Sequence, residues 1–272
     1  MRRLFTAVVV VAFLAAAATA AWHSYGDKAA RLLPDECRAS VNTLEARVNP
    51  EQARNAALIA AISVKRGLPA RAATIALATA YQESKLYNLD YGDRDSVGLF
   101  QQRPSQGWGT VKQIMDETYA TNAFYDALVK VGGYETMEIT VAAQKVQRSA
   151  FPDAYADHEP GARALASALT GQSPAAFSCR YGSFASGSPT VVRERLDKAF
   201  GTHAGNPVIT GRAVTISPAD TTVGWAIAQW TVAHANQLGV TSVKYDGKLW
   251  SGKESWASST SSDRQIVLTV TP

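Results

Sequence analysis

Two cysteines, Cys37 and Cys179, are the only ones in the 272-residue chain, and the stretch between them holds most of its helical signal. In an oxidising compartment a bond between them would close that stretch into one unit; otherwise they are two buried thiols. No CxxC spacing is present, which argues against zinc or redox chemistry. The compartment therefore matters, and the N-terminus bears on it. Arg2 and Arg3 precede an apolar run, Leu4 to Trp22, interrupted only by Thr6 and Thr19. This pattern is expected to be either a cleaved export signal, with Ala18, Thr19 and Ala20 at the cut, or a retained anchor, since 19 residues are about enough to span a bilayer. In both cases the positive N-terminus stays inside and the bulk of the chain lies outside the cytoplasmic membrane, secreted or anchored by this segment.

Helical punctuation dominates the middle of the chain. Asn49-Pro50-Glu51-Gln52 supplies an N-cap, a proline at the first helical position and a capping-box glutamine, so a helix is expected over 50–66, stopped by Gly67. An alanine-rich helix is expected from Arg71 to Leu86, with Ile75, Thr79, Glu83 and Leu86 on one face. Thr110 and Gln113 cap a segment over 111–129, and further helices are expected over 138–148 and 160–169, with Phe151-Pro152 as the interruption. Residues 23–48 read as a connector carrying Cys37, and no alternating pattern is evident between 50 and 171.

The composition then changes. SFASGSP, Ser183 to Pro189, has the glycine and serine content of a linker, followed by helices over 189–200 and 222–238, an apolar-polar stretch over 208–216, and strand-like runs at 240–245, 248–251 and 266–270. Asp246-Gly247 reads as a hairpin turn. The expected architecture is mainly α: a signal or anchor over 1–22, a helical domain over 23–182, a linker over 183–190 and a small α+β domain over 191–272.

Within the helical domain Glu83 stands out. The helix dipole near a C-terminus and an apolar surround both disfavour a carboxylate, so a glutamate there is held partly protonated and can act as a proton donor. Taken on periodicity alone, a glutamate at such a place is usually a solvated surface residue. Downstream, Asp90, Asp93 and Asp95 around Gly92 are read as turn-formers, with one remaining candidate role as a second acid. An EF-hand is excluded because Val97 holds the fifth ligand place after Asp93.

Glu83-Ser84 followed by Ser96-Val97-Gly98-Leu99-Phe100-Gln101 resembles the goose-type lysozyme and lytic transglycosylase superfamily, whose members carry Glu-Ser and then Gly-Leu-Met-Gln; Phe100 replaces the methionine. Gln82 to Thr110 and Gln144 to Tyr155 look like exported actinobacterial lysozyme-like proteins, and the likeness covers about residues 37–171. The resemblance implies a lysozyme-like helical fold in which Glu83 is the catalytic acid, Ser84 supports it and Gln101 borders a glycan groove. Ser84, Ser96, Gln101, Gln147 and Tyr155 are the candidate substrate-side residues. The family's third motif, Ala-Tyr-Asn, is not present; Gln147-Arg148-Ser149 stands in its place, with Tyr155 beyond, where it could hydrogen-bond the acid or the sugar or simply pack on the core. Tyr91 and Trp108 are candidates for stacking on sugar rings.

The implied activity is cleavage of the MurNAc-GlcNAc β-1,4 bond of peptidoglycan with one glutamate and no cofactor, by hydrolysis or by 1,6-anhydro ring closure. The alternative is a non-catalytic wall-binding protein that keeps the fold. GWAIAQWTVAHANQLGVTSVKYDGKLW, residues 224–250, looks like the tail domain of some actinobacterial cell-wall hydrolases and is similar to a D-alanyl-D-alanine peptidase-like fold. It lacks the metal ligands of an active peptidase, and Asp263-Arg264-Gln265-Ile266-Val267 stands where they would come. His234 is read as a packed or capping histidine, and Trp225, Trp230, Trp250 and Trp256 as core. A net charge of +4 without a long run of Lys or Arg argues against nucleic acid and weakly favours an anionic polymer such as a cell wall. Glycan strands are thus the expected partner, with membrane contact only through the N-terminal segment.

Overall fold

The computed structural model describes residues 33–147, 155–260 and 264–272. The N-terminal apolar segment, Arg148, Ser149, Phe151-Pro152 and Asp263 lie outside the described residues. Among the described residues, eight α-helices accompany a three-stranded and a six-stranded antiparallel sheet, so the fold is α+β and the expectation of a mainly α chain is corrected.

The correction starts where a connector was expected. Glu36–Val41 (β1) and Leu44–Val48 (β2) form a hairpin, with Asn42 in the left-handed region at the turn. Cys37 and Ala39 point inward while Arg38 and Ser40 point out. Phe177–Arg180 (β3) pairs with the other edge of β1, giving the order β2-β1-β3. In that register Cys37 is opposite Cys179, and the two form a disulfide spanning 142 positions.

The helices follow their caps. Pro50–Lys65 (α1) has Asn49 as N-cap with a complete capping box to Gln52. Ala70–Ser84 (α2) begins after Pro69, and Lys85 and Leu86, both at positive φ, end it abruptly. The segment expected as one helix over 111–129 is two, Val111–Ile114 (α3) and Glu117–Leu128 (α4). Asp116 breaks it because its side chain accepts from the Tyr119 amide and caps the second helix. Ile139–Gln147 (α5) and Glu159–Leu169 (α6) complete this part.

Alanine lets these helices approach closely. Ala72, Ala73, Ala76 and Ala80 of α2 are wholly buried, and α2 packs along α6. Larger side chains fill the gaps: Ile59, Ile75, Leu77 and Leu86 are almost fully buried, each contributing about 1.5–3 kcal/mol of transfer free energy.

Ser188 precedes Pro189–Phe200 (α7), and Thr221–Leu238 (α8) runs against α1. Val208–Thr210 (β4), Ala213–Ile216 (β5), Val240–Tyr245 (β6), Lys248–Trp250 (β7), Ala257–Ser258 (β8) and Ile266–Val270 (β9) form the second sheet in the order β4-β5-β9-β6-β7-β8. Asp246 and Gly247, both at positive φ, make the β6–β7 turn. The glycine and serine stretch before α7 lies against this unit: the Ala185 amide donates to the Asn236 carbonyl, and Thr271 donates to the Ala185 carbonyl. The four tryptophans pack here, with Trp225 and Trp250 almost fully buried. No helix among the described residues is long and apolar enough to cross a membrane.

Candidate active site

Glu83 is the penultimate residue of α2, half-buried, one position before buried Ser84. Two side chains from later in the chain reach it. The Tyr155 hydroxyl donates to Glu83 Oε1 at 2.8 Å, and the Gln147 side chain also hydrogen-bonds the carboxylate. Burial raises the pKa of Glu83, and these two hydrogen bonds oppose the rise by stabilising the charged form. Desolvation is the larger effect, so the net direction is upward. No charged group among the described residues contributes to it.

Ser84 and Gln147 hold this arrangement to the glycine loop. Ser84 Oγ lies 2.8 Å from the Leu99 carbonyl and 3.0 Å from the Ala80 carbonyl, tying the helix end to the loop with its single proton. Gln147 Nε2 donates to the Phe100 carbonyl at 2.7 Å. Phe100 itself turns inward and stacks on Phe124 at 4.6 Å, so it is a core position. Its backbone carbonyl faces Gln147 while its ring supports α4.

Ser96 and Gln101 brace the loop. Gln101 Nε2 donates to the Tyr91 and Gly98 carbonyls, each at 3.2 Å, and Ser96 Oγ lies 3.1 Å from Gln101 Oε1. Two glycines make this possible. A Cβ at Gly92 would stand 1.9 Å from Gln101 Oε1, and Gly98 has a φ of +82°. The amide expected on the wall of a groove is thus engaged within the loop.

The aspartates divide. Asp95 accepts from Arg103 Nε, the Ser105 amide and the Ser105 hydroxyl, and these bonds, led by the Ser105 amide, hold its carboxyl far below the usual carboxylate range. Asp93 is exposed, 3.9 Å from Arg94, and Asp90 is exposed. Among the described residues, none of the three bonds to Glu83. Tyr91 is 68% exposed, free to meet a ligand, and Trp108 is half-buried in an open cleft with Tyr119, Lys130 and Lys145.

A second layer beside the acid was not anticipated. His158 Nε2 lies 2.7 Å from Gln82 Oε1, and its ring packs on Tyr81 at 4.8 Å. Burial, and then Lys85, lower its pKa. Tyr81 and His158 line a cleft of about 320 Å³ along α2 and α6. The signal available in the sequence was the position of His158, three residues after Tyr155. Among the described residues no group of three or more His, Cys, Asp or Glu side chains could hold a metal ion. His234 stacks on Trp230 at 4.0 Å and bonds the Trp230 carbonyl through Nδ1; burial lowers its pKa to about 4, opposed by that hydrogen bond and aided by Arg54 and Arg195.

A family model described as VldE, C-terminal domain, matches residues 188–266, which takes in α7, α8 and most of the second sheet. No curated protein matches the chain. The match leaves Glu83, Gln147 and Tyr155 outside its span. The disulfide is compatible with a location outside the cytoplasm.

Proposed function

We propose that the chain is an extracytoplasmic lysozyme-like enzyme that cleaves the MurNAc-GlcNAc β-1,4 bond of peptidoglycan with Glu83 as its general acid. The observation that carries this reading is the Glu83 carboxyl: desolvated so that its pKa rises, yet oriented by donors from Tyr155 and Gln147. A raised pKa keeps a fraction of the acid protonated near neutrality, which a proton donor to a glycosidic oxygen needs.

The one-acid route is the branch favoured. A retaining two-carboxylate hydrolase places its second carboxyl about 5 Å from the first, and an inverting one further off across a water. Among the described residues no carboxylate acts on Glu83, and Asp95 is held by Arg103 and Ser105. Protonated Glu83 gives its proton to the linking oxygen as the C1–O bond breaks. The Glu83 carboxylate then takes the proton of the muramic acid 6-hydroxyl as that oxygen bonds to C1, closing a 1,6-anhydro ring without water. Tyr155 and Gln147 stabilise the carboxylate present between the two transfers.

Ser84 keeps the helix end against the loop, and Gln101 and Ser96 keep the loop closed on itself, so their role in this reading is positioning. Product mass analysis of digested peptidoglycan tests it. Anhydro-muropeptides that disappear with Glu83→Gln are expected; equal release by both proteins would overturn the reading. Retention on insoluble wall without release would favour a binding protein.

A further inference from the structure

Where α1, α4, α7 and α8 meet, a cleft of about 670 Å³ opens that none of the chemistry above uses. Its volume lies within the usual range for small-molecule sites. Arg54 on α1 and Arg195 on α7 line it, and neither guanidinium has a hydrogen-bond or ion-pair partner among the described residues. The half-buried His234 ring lines the same cleft, and both charges lower its pKa. Lys198 adds a third cation, while Glu51 and Glu117 contribute two carboxylates, leaving one positive charge unmatched.

The floor is apolar. Leu58, Ile62 and Leu238 line it beside the stacked pair of Trp230 and His234. Trp230 is 4% exposed, and its indole N–H is buried with no hydrogen-bond partner among the described residues. A buried donor without an acceptor is costly, typically about 1–3 kcal/mol, and such groups in native proteins call for a partner.

We infer that this cleft binds the terminal carboxylate of a short peptide with small apolar side chains. The carboxylate meets Arg54 and Arg195, the pairing for which the planar guanidinium fork is suited. The apolar body covers Leu58, Ile62 and Trp230, and peptide N–H groups face Glu51 and Glu117. A second negative charge on the ligand would meet those carboxylates, so a single anion is selected. The site stands whether or not Glu83 cleaves glycan.

The test uses the purified full chain and N-acetyl-alanyl-alanine, its C-terminal amide and inorganic phosphate as probes, followed by NMR of the Trp230 indole N–H and the His234 ring. The acid is expected to move both signals saturably, with the amide at least about tenfold weaker. Arg54→Met and Arg195→Met are each expected to weaken the acid by about tenfold without changing the melting temperature, since Arg195 is exposed and Arg54 half-buried. Glu83→Gln is expected to bind as the wild type does. Unmoved signals, equal binding of acid and amide, or undiminished binding by both arginine variants would overturn the inference. Phosphate binding as tightly as the peptide would overturn the apolar part of the ligand.

Discussion

Tyr155 donates its hydroxyl to Oε1 of Glu83 at 2.8 Å across 72 positions of sequence. Because the bond stabilises the carboxylate, its removal should raise the Glu83 pKa further. Tyr155→Phe keeps the buried ring and deletes only the donor. The alkaline limb of the pH profile, which reports loss of the protonated acid, is expected to move to higher pH, with activity at the optimum down by about tenfold. Turbidity clearance of peptidoglycan across pH checks this. An unmoved limb would mean that the bond serves packing alone.

Glu83→Gln removes the acid while keeping the shape, and activity is expected to fall by at least about a hundredfold. Stability should change in the opposite direction. A carboxyl whose folded pKa is raised contributes stability that is present below its unfolded pKa and is lost as pH rises through the folded pKa. The variant is therefore expected to melt above the wild type at pH 8, with the gap closing as pH falls toward 4. Melting scans at both ends of that range measure it, and a gap that widens toward acid would contradict the direction of the shift.

Much of the helical part could be read from caps. Asn49 with Gln52 and Thr110 with Gln113 both form complete capping boxes, because a capping side chain and its helix are neighbours in sequence. Strands β1 and β2 were not read. In β1 the inward residues Cys37 and Ala39 are too small to make an apolar alternation; in β2 Leu44, Ala46 and Val48 alternate with Glu45 and Arg47 but over five residues only, and β3, the partner of β1, arrives only after α6. Missing that sheet is what turned an α+β chain into an expectation of a mainly α one. At the site the spacing of Glu83-Ser84 and Leu99-Phe100 was legible, while the direction of each side chain was not. Gln101 bonds backbone carbonyls of its own loop, whereas Gln147, four helices on from α1, reaches both Phe100 and Glu83. Those choices depend on tertiary approach, which one chain read in order does not display.

His234 gives the chain an acid-sensitive joint. Burial, with Arg54 and Arg195 adding to it, sets its pKa at about 4, so the ring is neutral near pH 7. A histidine with a depressed folded pKa contributes stability that is present above its unfolded pKa of about 6.5 and is lost as pH falls toward the folded value. The loss amounts to about 3 kcal/mol if the ring stays buried. Urea unfolding at pH 7.5 and pH 4.5 should show it, and His234→Gln should flatten the dependence over that window. An equal slope in the variant would assign it to other groups.

Cys37 and Cys179 face each other across β1 and β3 and join the start of the first sheet to the end of the segment that follows α6. The bond closes a long loop in the unfolded chain and so removes conformational entropy from that state. Replacing both residues by serine is expected to cost about 2–5 kcal/mol, with the loss appearing in urea unfolding of the variant and in reduced wild type alike. Because β3 leads directly into Tyr181, whose hydroxyl lies 3.1 Å and 3.0 Å from the α8 carbonyls of Val232 and Ala233 and shares its one proton between them, loosening this strand should also loosen the seating of α8. Hydrogen exchange is expected to rise first in β1, β3 and the middle of α8. Uniform change across the molecule, or none outside the first sheet, would show that the disulfide does not couple the two.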